Sequence, residues 1–242
     1  MRTAILATSA LLAFGTLAYG QGTKGARSRA PAKGSIKGTV IYEGTAPTRA
    51  PLRRDTDPYC AKSAKLDEDV IVTKGKLKDV LVRIKNGSAG THGTPDTPVV
   101  LDQKDCTYVP RVVGVMPGQR LVVKNSDGTF HNVNGQVQGG KSLFNKPHEP
   151  NGADLALDAK AAAGDVIDIV CNVHPWMHSY ALVQDHPFFA VTGEDGAFEL
   201  KGIAAGTYTL EAWHPTLGAK SMTVKVGHGA EAAITARFSY KP

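Results

Sequence analysis

The sequence has little that would form helices. Good helix formers do not gather in any long run, and the one short stretch rich in them spans residues 156–163. By contrast, the 242 residues include 26 glycines and 14 prolines, which break regular elements into short pieces. A chain of this length suits one large domain or two small ones. The composition therefore argues against a helical fold and predicts many short strands joined by turns.

Long apolar runs are also missing, apart from one near the N-terminus. Residues 4–17 are rich in Ala and Leu, follow the charged Arg2 and precede the small residues of Ala18-Tyr19-Gly20. The run is short for a membrane span, and polar residues follow it. No cysteine lies near the cleavage point, which argues against a lipid anchor. The pattern predicts a signal peptide over residues 1–20, cleaved near Gly20, and a periplasmic or secreted protein with no stable membrane anchor.

An excess of one charge sign is absent from the body of the chain. The formal net charge is +6, from 28 basic and 22 acidic residues. Five basic and no acidic residues lie in residues 1–35, which leaves 23 basic and 22 acidic residues in the remainder. Residues 21–35 are predicted to be a basic flexible linker, with a tether to a membrane or partner as the alternative. Aromatic and basic residues do not interleave, which argues against binding of nucleic acid.

Cysteine is scarce, and one of the three cysteines lies in the most informative motif. Cys171 opens a short segment that contains His174 and Met177, and His131 precedes it by forty residues. One thiolate, two imidazoles and one thioether form the ligand set of a blue-copper electron-transfer site. Alone, Met177 would be a core residue and His131 a structural histidine, but the combination predicts a metal site. His178 is either an alternative ligand or an exposed side chain, and exposure is favoured.

The other two cysteines are Cys60 and Cys106. If Cys171 binds a metal, these two form the remaining pair, and an exported protein meets an oxidising compartment that permits the bond. Such a bridge would close a loop of roughly 45 residues and stabilise the fold by about 3–4 kcal/mol. The alternative is a different pairing with Cys171 in a structural disulfide, which its His and Met neighbours disfavour.

Alternating apolar residues mark strands on both sides of the motif. Residues 108–115 and 121–125 form a strand, a Pro-Gly turn and a second strand, which lead the chain to His131. Residues 166–170 form a strand that runs directly into Cys171. The expected ligands therefore follow strands, which would hold them at one end of a β-structure.

Two stretches show no strand pattern. Residues 45–65 are too basic and too rich in proline for a central strand, so they are predicted to form an extended loop that carries Cys60. Residues 135–163 lack strong alternation and are predicted to be loops with one helical turn. The last third of the chain differs from both, because five short strands alternate there with glycine-rich turns, which is typical of an antiparallel sandwich.

The motif and its flanking strands resemble the cupredoxin family, most closely its amicyanin and plastocyanin-type members. The resemblance covers residues 109–133 and 166–183. The matching features are the Pro117-Gly118 turn, Asn125 and Asp127 before His131-Asn132-Val133, and the two-residue gap between His174 and Met177. The resemblance implies one type-1 copper per chain, with ligands His131, Cys171, His174 and Met177.

The same resemblance implies roles for neighbouring residues. Asn132 would connect the His131 strand to the Cys171 loop, and Pro175 and Trp176 would stiffen and shield that loop. His174 would lie near the surface and serve as the port for electrons.

A second resemblance involves the ends of the chain. Residues 193–200, followed by residues 206–210, are similar to the Asp-Gly-x-Phe hairpin of carboxypeptidase regulatory-like domains, which are transthyretin-like sandwiches. The opening Gly-x-Val strand of that family matches Gly38-Thr39-Val40, which lies before the cupredoxin-like segment. This order implies a cupredoxin inserted into the other sandwich, since insertion needs only neighbouring loop ends.

The expected fold is therefore all-β, with a Greek-key cupredoxin sandwich or barrel and a second, transthyretin-like β-sandwich. The predicted domains are residues 36–97 and 187–242 for the carboxypeptidase regulatory-like sandwich, and residues 98–186 for the cupredoxin. The alternative is two consecutive domains, with residues 36–185 all belonging to an enlarged cupredoxin.

Three functions are compatible with these features. The leading one is a one-electron carrier that exchanges electrons with a redox protein such as a c-type cytochrome. The second is capture or delivery of copper. The third is a surface interaction module with a structural metal, for example zinc bound by His131, Cys171, His174 and His178. The sequence shows no second metal cluster, no Ser-His-Asp pattern and no phosphate loop, so it predicts a protein without catalytic residues that is not an enzyme.

Overall fold

The computed structural model of the protein describes residues 34–86, 92–227 and 233–241. The predicted signal peptide and nearly all of the predicted linker lie outside these residues. The described chain contains eighteen strands and one short 3-10 helix, Cys60–Lys62. The all-β class predicted from the sequence is confirmed. Within the same ranges, none of the helical structure has the length and apolar character needed to cross a membrane.

Two sheets are built from both ends of the chain, and we call them the outer sandwich. The first has the order β15-β1-β3-β2, with β18 on the other side of β1. Its strands are β1 (Gly34–Tyr42), β2 (Val72–Thr73), β3 (Lys76–Leu77), β15 (Ala197–Ile203) and β18 (Ala233–Tyr240). The second sheet has the order β14-β4-β16-β17. Its strands are β4 (Leu81–Asn86), β14 (Phe189–Val191), β16 (Gly206–His214) and β17 (Gly218–Val226). Apolar side chains from both sheets share one buried core.

Two further sheets come from the middle of the chain, and we call them the inner sandwich. One has the order β11-β8-β5-β6 and the other the order β10-β9-β12-β13-β7. The strands of the first are β5 (Val99–Lys104), β6 (Thr107–Val109), β8 (Arg120–Asn125) and β11 (Leu155–Asp158). Those of the second are β7 (Val112–Val115), β9 (His131–Val137), β10 (Lys141–His148), β12 (Val166–Val170) and β13 (His178–Val183). These sheets enclose a second buried core.

The chain leaves the outer sandwich and returns to it at neighbouring points. β4, which precedes the inner sandwich, pairs antiparallel with β14, which follows it, and Leu81 lies opposite Val191. Strands β5 to β13 pair only among themselves within the described residues. The inner sandwich is thus one continuous segment between two paired strands. The domain boundaries at 97/98 and 186/187 and the transthyretin-like character of the outer sandwich stay predictions.

A small apolar cluster joins the two sandwiches. Leu81 of β4, Val112 of β7 and Leu182 of β13 are buried in it, and Phe189 and Trp213 pack against them. A Cβ atom on Gly114 would clash with the Phe189 ring, so the absence of a side chain allows β7 to approach β14. This close packing fixes the inner sandwich against the outer one.

Two sequence expectations for the inner sandwich were wrong. Residues 135–163 contain the end of β9 and the strands β10 and β11. β10 is an edge strand in which only Phe144 and His148 are buried, so it has almost no alternating apolar pattern to detect. Residues 108–115 are not one strand, because the chain crosses at Pro110 from β6 in one sheet to β7 in the other.

Residues 51–66 form a loop that lies over the inner sandwich, and we call this loop the strap. Its base is closed by a bridge between Pro51 and Leu66. The buried Arg54 guanidinium donates to the Asp105 carbonyl oxygen at 2.6 Å and to the Ser63 carbonyl oxygen at 3.1 Å. The strap is therefore held both to itself and to the turn between β5 and β6.

The buried carboxyl of Asp79, in the outer sandwich, should make the stability of the protein depend on pH. Its side chain is 5% exposed, and its Oδ2 atom has no hydrogen-bond partner among the described residues. Burial raises the pKa of this carboxyl to about 6, while Lys78 and Arg111 lower it to a smaller extent. The native state therefore binds the proton more tightly than the unfolded chain, and stability falls as pH rises from about 4 to about 6.

Replacing Asp79 by Asn should stabilise the protein by about 1–3 kcal/mol at pH 8 and have little effect below pH 4. Asn removes the buried charge and tolerates the left-handed φ of +60° at this position. Urea denaturation at pH 8 and pH 4 measures the difference. The exposed Asp158→Asn change is the control and should have a small effect at both pH values. A stabilisation that is equal at both pH values would contradict the assignment.

Candidate metal centre

Three of the sequence-predicted ligands come together at one end of the inner sandwich. The Sγ atom of Cys171 lies 3.9 Å from Nδ1 of His131 and 3.8 Å from Nδ1 of His174. The two Nδ1 atoms are 2.9 Å apart. All three residues are at most 3% exposed. The donor atoms thus face one another in a site closed to water.

The local backbone explains how this convergence arises. β12 ends at Val170 and delivers Cys171 directly, while His131 is the first residue of β9, which pairs with β12. The loop after Cys171 turns back on itself, since the Met177 amide donates to the His174 carbonyl oxygen at 2.9 Å. The Cys171 amide in turn donates to the Met177 carbonyl oxygen at 3.3 Å. The tight turn between β12 and β13 therefore places Cys171 and His174 on the same side of the loop.

Two hydrogen bonds between Asn132 and Asn172 join this loop to the His131 strand. The Asn172 amide donates to Oδ1 of Asn132 at 2.6 Å, and Nδ2 of Asn132 donates to Oδ1 of Asn172 at 3.1 Å. This is the contact that the resemblance implied for Asn132. It restricts the distance between the two segments that carry the three donor atoms.

Each imidazole also contacts a carboxylate through its other nitrogen. Nε2 of His131 lies 3.0 Å from Oδ2 of Asp127, and Nε2 of His174 lies 2.9 Å from Oδ2 of Asp57. A carboxylate accepts hydrogen bonds, so each Nε2 carries the proton and each Nδ1 presents a lone pair. The two lone pairs then face each other and the thiolate. Such an arrangement of acceptors is stabilised by a cation between them, either a proton or a metal ion.

The size of the site fits a metal ion. The three distances define a triangle whose centre is about 2.1 Å from each donor atom, within the roughly 2.0–2.3 Å of nitrogen and sulfur bonds to zinc. A thiolate and two imidazoles suit copper and zinc better than hard cations such as Mg²⁺ or Ca²⁺. The residues present therefore fit a borderline-to-soft metal ion.

The environment also favours the ionised forms that bind metal. Burial raises the pKa of the Cys171 thiol, but its polar contacts with His131 and His174 outweigh burial and lower it to about 6. Burial likewise opposes ionisation of Asp57, yet its hydrogen bonds with Thr129, two backbone amides and His174 lower the pKa to about 2. Near neutral pH the site thus contains a thiolate beside a carboxylate-bound imidazole.

The remaining predicted residues of the motif lie close to the centre. Met177 is fully buried in the core cluster that includes Cys171, and its assignment as an axial ligand stays a prediction. Nε1 of Trp176 donates to the Cys106 carbonyl oxygen at 3.0 Å, and its ring lies 5.1 Å from that of His174. Pro175 and His178 interact with each other, because the Pro175 carbonyl oxygen accepts from Nε2 of His178 at 3.0 Å.

His178 does not join the three donor atoms. Its Nδ1 atom faces Asp168 at 3.7 Å, and its side chain is 34% exposed. His178 is therefore half-buried and not fully exposed as favoured from the sequence, and it does not lie where it could be a fourth metal ligand.

The expectation that His174 lies near the surface was wrong. His174 is 3% exposed because the strap covers it and places Asp57 against its Nε2 atom. Sequence reasoning did not identify Asp57 as part of the site. Asp57 and His174 are 117 residues apart, and no local spacing connects them. Asp127 was recognised as part of the cupredoxin-like motif, but its contact with His131, four residues later, was not predicted.

The disulfide Cys60–Cys106 lies beside both carboxylates. The Cys60 amide donates to Oδ1 of Asp57 at 3.2 Å. The Cys106 amide donates to Oδ2 of Asp127 at 2.8 Å. One covalent bond therefore connects the two backbone segments that orient the partners of the two histidines.

No protein-family model and no curated protein matches this chain. Among solved structures, similar ones include a purple cupredoxin from Nitrosopumilus maritimus, with 21% identity and a TM-score of 0.31 over 36% of this chain and 99% of that one. A variant of amicyanin in the Cu(I) form has 20% identity and a TM-score of 0.32, over 43% of this chain and 98% of that one. At such TM-scores these likenesses determine neither ligands nor activity, and the metal centre is inferred from its own geometry.

A third similar structure is the copper-containing nitrite reductase of Thermus scotoductus SA-01. It has 18% identity and a TM-score of 0.33, over 41% of this chain and 25% of that one. That protein is an enzyme. The prediction that the present chain is not an enzyme is corrected accordingly, since its structural likenesses extend to a catalytic copper protein.

Proposed function

We propose that the protein binds one copper ion at His131, Cys171 and His174, with Met177 as a weak axial ligand, and that it transfers single electrons. The observation that supports this proposal most strongly is the set of three buried ligand atoms, one sulfur and two nitrogens, that lie within 3.9 Å of one another. His₂Cys is the equatorial ligand set of blue-copper sites. Bound copper would supply a reversible one-electron couple between Cu(I) and Cu(II).

The residues of the chain supply rigidity and exclusion of water. Asp57 and Asp127 orient the two imidazoles, and Asn132 connects the segments that carry them. Because these contacts are buried or partly buried and support one another, the donor atoms cannot rearrange easily when the charge of the site changes. A small change in geometry is what fast electron transfer requires.

A region for exchange of electrons with a partner lies above His174. Phe130 is 38% exposed and Val173 is 50% exposed, and both line a surface depression together with Thr56 and Asp57. Exposed apolar side chains close to a buried redox site favour transient docking of another redox protein. We propose that this partner is a redox protein such as a c-type cytochrome, and that both act outside the cytoplasm, where a disulfide is stable.

The alternative functions have less support. Delivery of copper requires easy exit of the ion, yet the strap covers His174 and a disulfide secures the strap. A structural zinc site with four protein ligands requires His178, whose side chain faces Asp168. The geometry therefore favours an ion that stays bound while its charge changes.

Metal loading of the full chain tests the proposal. Purified protein is loaded with Cu(II), the copper content is measured, and the visible spectrum and reduction are recorded. We expect one copper per chain, an intense thiolate-to-Cu(II) absorption and reversible one-electron reduction, because Cys171 is buried with two imidazoles. Zn(II)-loaded protein is the colourless control. A protein that stays colourless after loading with Cu(II) excludes the proposed function.

A further inference from the structure

The strap supplies a carboxylate to the metal centre from a part of the chain that precedes the inner sandwich. Asp57 lies in the strap, and its Oδ2 atom is 2.9 Å from Nε2 of His174. We propose that Asp57 is a positioning residue that orients His174 and strengthens metal binding, above all to the oxidised ion. This inference rests on the proposed copper function.

The two oxygens of the Asp57 carboxylate accept hydrogen bonds from two different parts of the fold. Oδ1 accepts from the amides of Tyr59 at 2.7 Å and Cys60 at 3.2 Å, both within the strap. Oδ2 accepts from the Thr129 hydroxyl at 2.8 Å and from Nε2 of His174 at 2.9 Å, both in the inner sandwich. One oxygen is therefore fixed by the strap, while the other reaches across to the site.

This contact determines which nitrogen of His174 is available. When Nε2 donates to Asp57, the proton is held there and Nδ1 keeps its lone pair toward Cys171. Rotation of the ring would break this bond and would leave a partly buried carboxylate oxygen with one partner fewer, which is unfavourable. Asp57 thus selects both the tautomer and the orientation in which His174 can bind a metal ion.

The charge of Asp57 adds a second effect. An anion hydrogen-bonded to the far nitrogen of an imidazole makes the near nitrogen a stronger donor to a metal. The effect is larger for Cu(II) than for Cu(I), because the attraction increases with the charge of the ion. Loss of the negative charge should therefore weaken Cu(II) binding more than Cu(I) binding and raise the reduction potential.

The strap has other attachments that do not depend on this side chain. The Cys60–Cys106 disulfide, the Arg54 contact with the Asp105 carbonyl oxygen and the bridge between Pro51 and Leu66 remain when Asp57 is changed. The effect of a substitution at Asp57 can then be separated from loss of the strap.

The test compares Asp57→Asn with Asp105→Asn. Both changes remove one negative charge near the strap, but the Asp105 side chain is exposed and its carboxylate contacts only Lys65 among the described residues. We expect Asp57→Asn to lower Cu(II) affinity by roughly 10- to 100-fold in competition with a chelator. For each tenfold loss specific to Cu(II), the potential should rise by about 59 mV. Asp105→Asn should stay within about twofold of the wild type in affinity, as expected for an exposed charge.

A spectroscopic measurement on Zn(II)-loaded wild-type protein provides a test that depends on neither redox activity nor the folding of a variant. The Nε2 proton of His174 should appear in the NMR spectrum as a strongly hydrogen-bonded, downfield signal. In folded Asp57→Asn the signal should move upfield, because the charge-assisted bond is lost. Absence of a downfield His174 proton in the wild type overturns the inference.

The outcomes distinguish this inference from the proposed function. A wild type without a thiolate-to-Cu(II) band refutes the copper function. A wild type with that band, together with a folded Asp57→Asn variant of unchanged affinity and potential, refutes only the positioning role of Asp57. The inference would also be overturned if Asp105→Asn lowered the affinity as much as Asp57→Asn. The effect would then come from loss of a negative charge near the strap and not from the contact with His174.

Discussion

Replacement of Cys171 by Ser should abolish the intense Cu(II) absorption of the loaded protein. The absorption requires a thiolate bound to Cu(II), and the environment of Cys171 holds its thiol pKa at about 6, so the ligand is ionised near neutral pH. A serine hydroxyl stays protonated under the same conditions and cannot replace it. Affinity for Cu(II) should fall by more than the roughly 10- to 100-fold that accompanies loss of a supporting partner. Visible spectroscopy and competition titration measure the two effects.

A matched variant separates the thiolate from the predicted axial ligand. Met177→Leu keeps Cys171 and has nearly the volume of the original side chain at a fully buried position, so the fold should be retained. The Cu(II)-loaded variant should keep an intense absorption band. Its reduction potential should change, since the axial ligand influences the potential. An intense band in folded Cys171→Ser protein would mean that Cu(II) is bound elsewhere in the chain.

Removal of the Cys60–Cys106 disulfide by the double Cys→Ser change should lower the free energy of unfolding by about 4 kcal/mol. The bond spans 46 positions of sequence, so its loss frees a large loop in the unfolded chain. The native state should loosen as well, because Cys60 and Cys106 each donate through their amides to a carboxylate of the metal centre. Chemical denaturation of metal-free protein measures the change.

Reductant provides the control for this prediction. Wild-type protein with the disulfide reduced should lose a similar stability, whereas the double variant should not respond to reductant. A loss below about 1 kcal/mol in both experiments would show that the unfolded chain is constrained by other means.

The approach of Cys171, His174 and His131 to one another could be predicted from sequence, because two of them share a short loop and the third begins a neighbouring strand. Cys171 and His174 lie in one turn between paired strands, and His131 begins the strand beside them. A short segment with this many donor atoms has few alternative explanations. The candidate donor set could therefore be recognised in the sequence, while its use as a copper site stays a prediction.

The surroundings of the site could not be predicted in the same way. Asp57 reaches His174 only because the strap folds back over the inner sandwich, and this path depends on the disulfide and on the buried Arg54. β10 was missed for a different reason, since an edge strand with two buried side chains lacks the alternation on which prediction depends. Long-range contacts and one-sided burial are properties of the assembled fold.

The pairing of β1 with β18 affects the order in which the sheets can form during synthesis. The two strands run parallel, with Ser35 opposite Ala233 and Tyr42 opposite Tyr240, so β1 gains this neighbour only after residue 240 has left the ribosome. The strands of the inner sandwich all lie between residues 99 and 183 and can assemble well before that point. Their assembly brings β4 and β14 together and shortens the loop that the outer sandwich must still close. Until β18 arrives, the edge of β1 remains open to pairing with another chain, so synthesis exposes this protein to aggregation at β1.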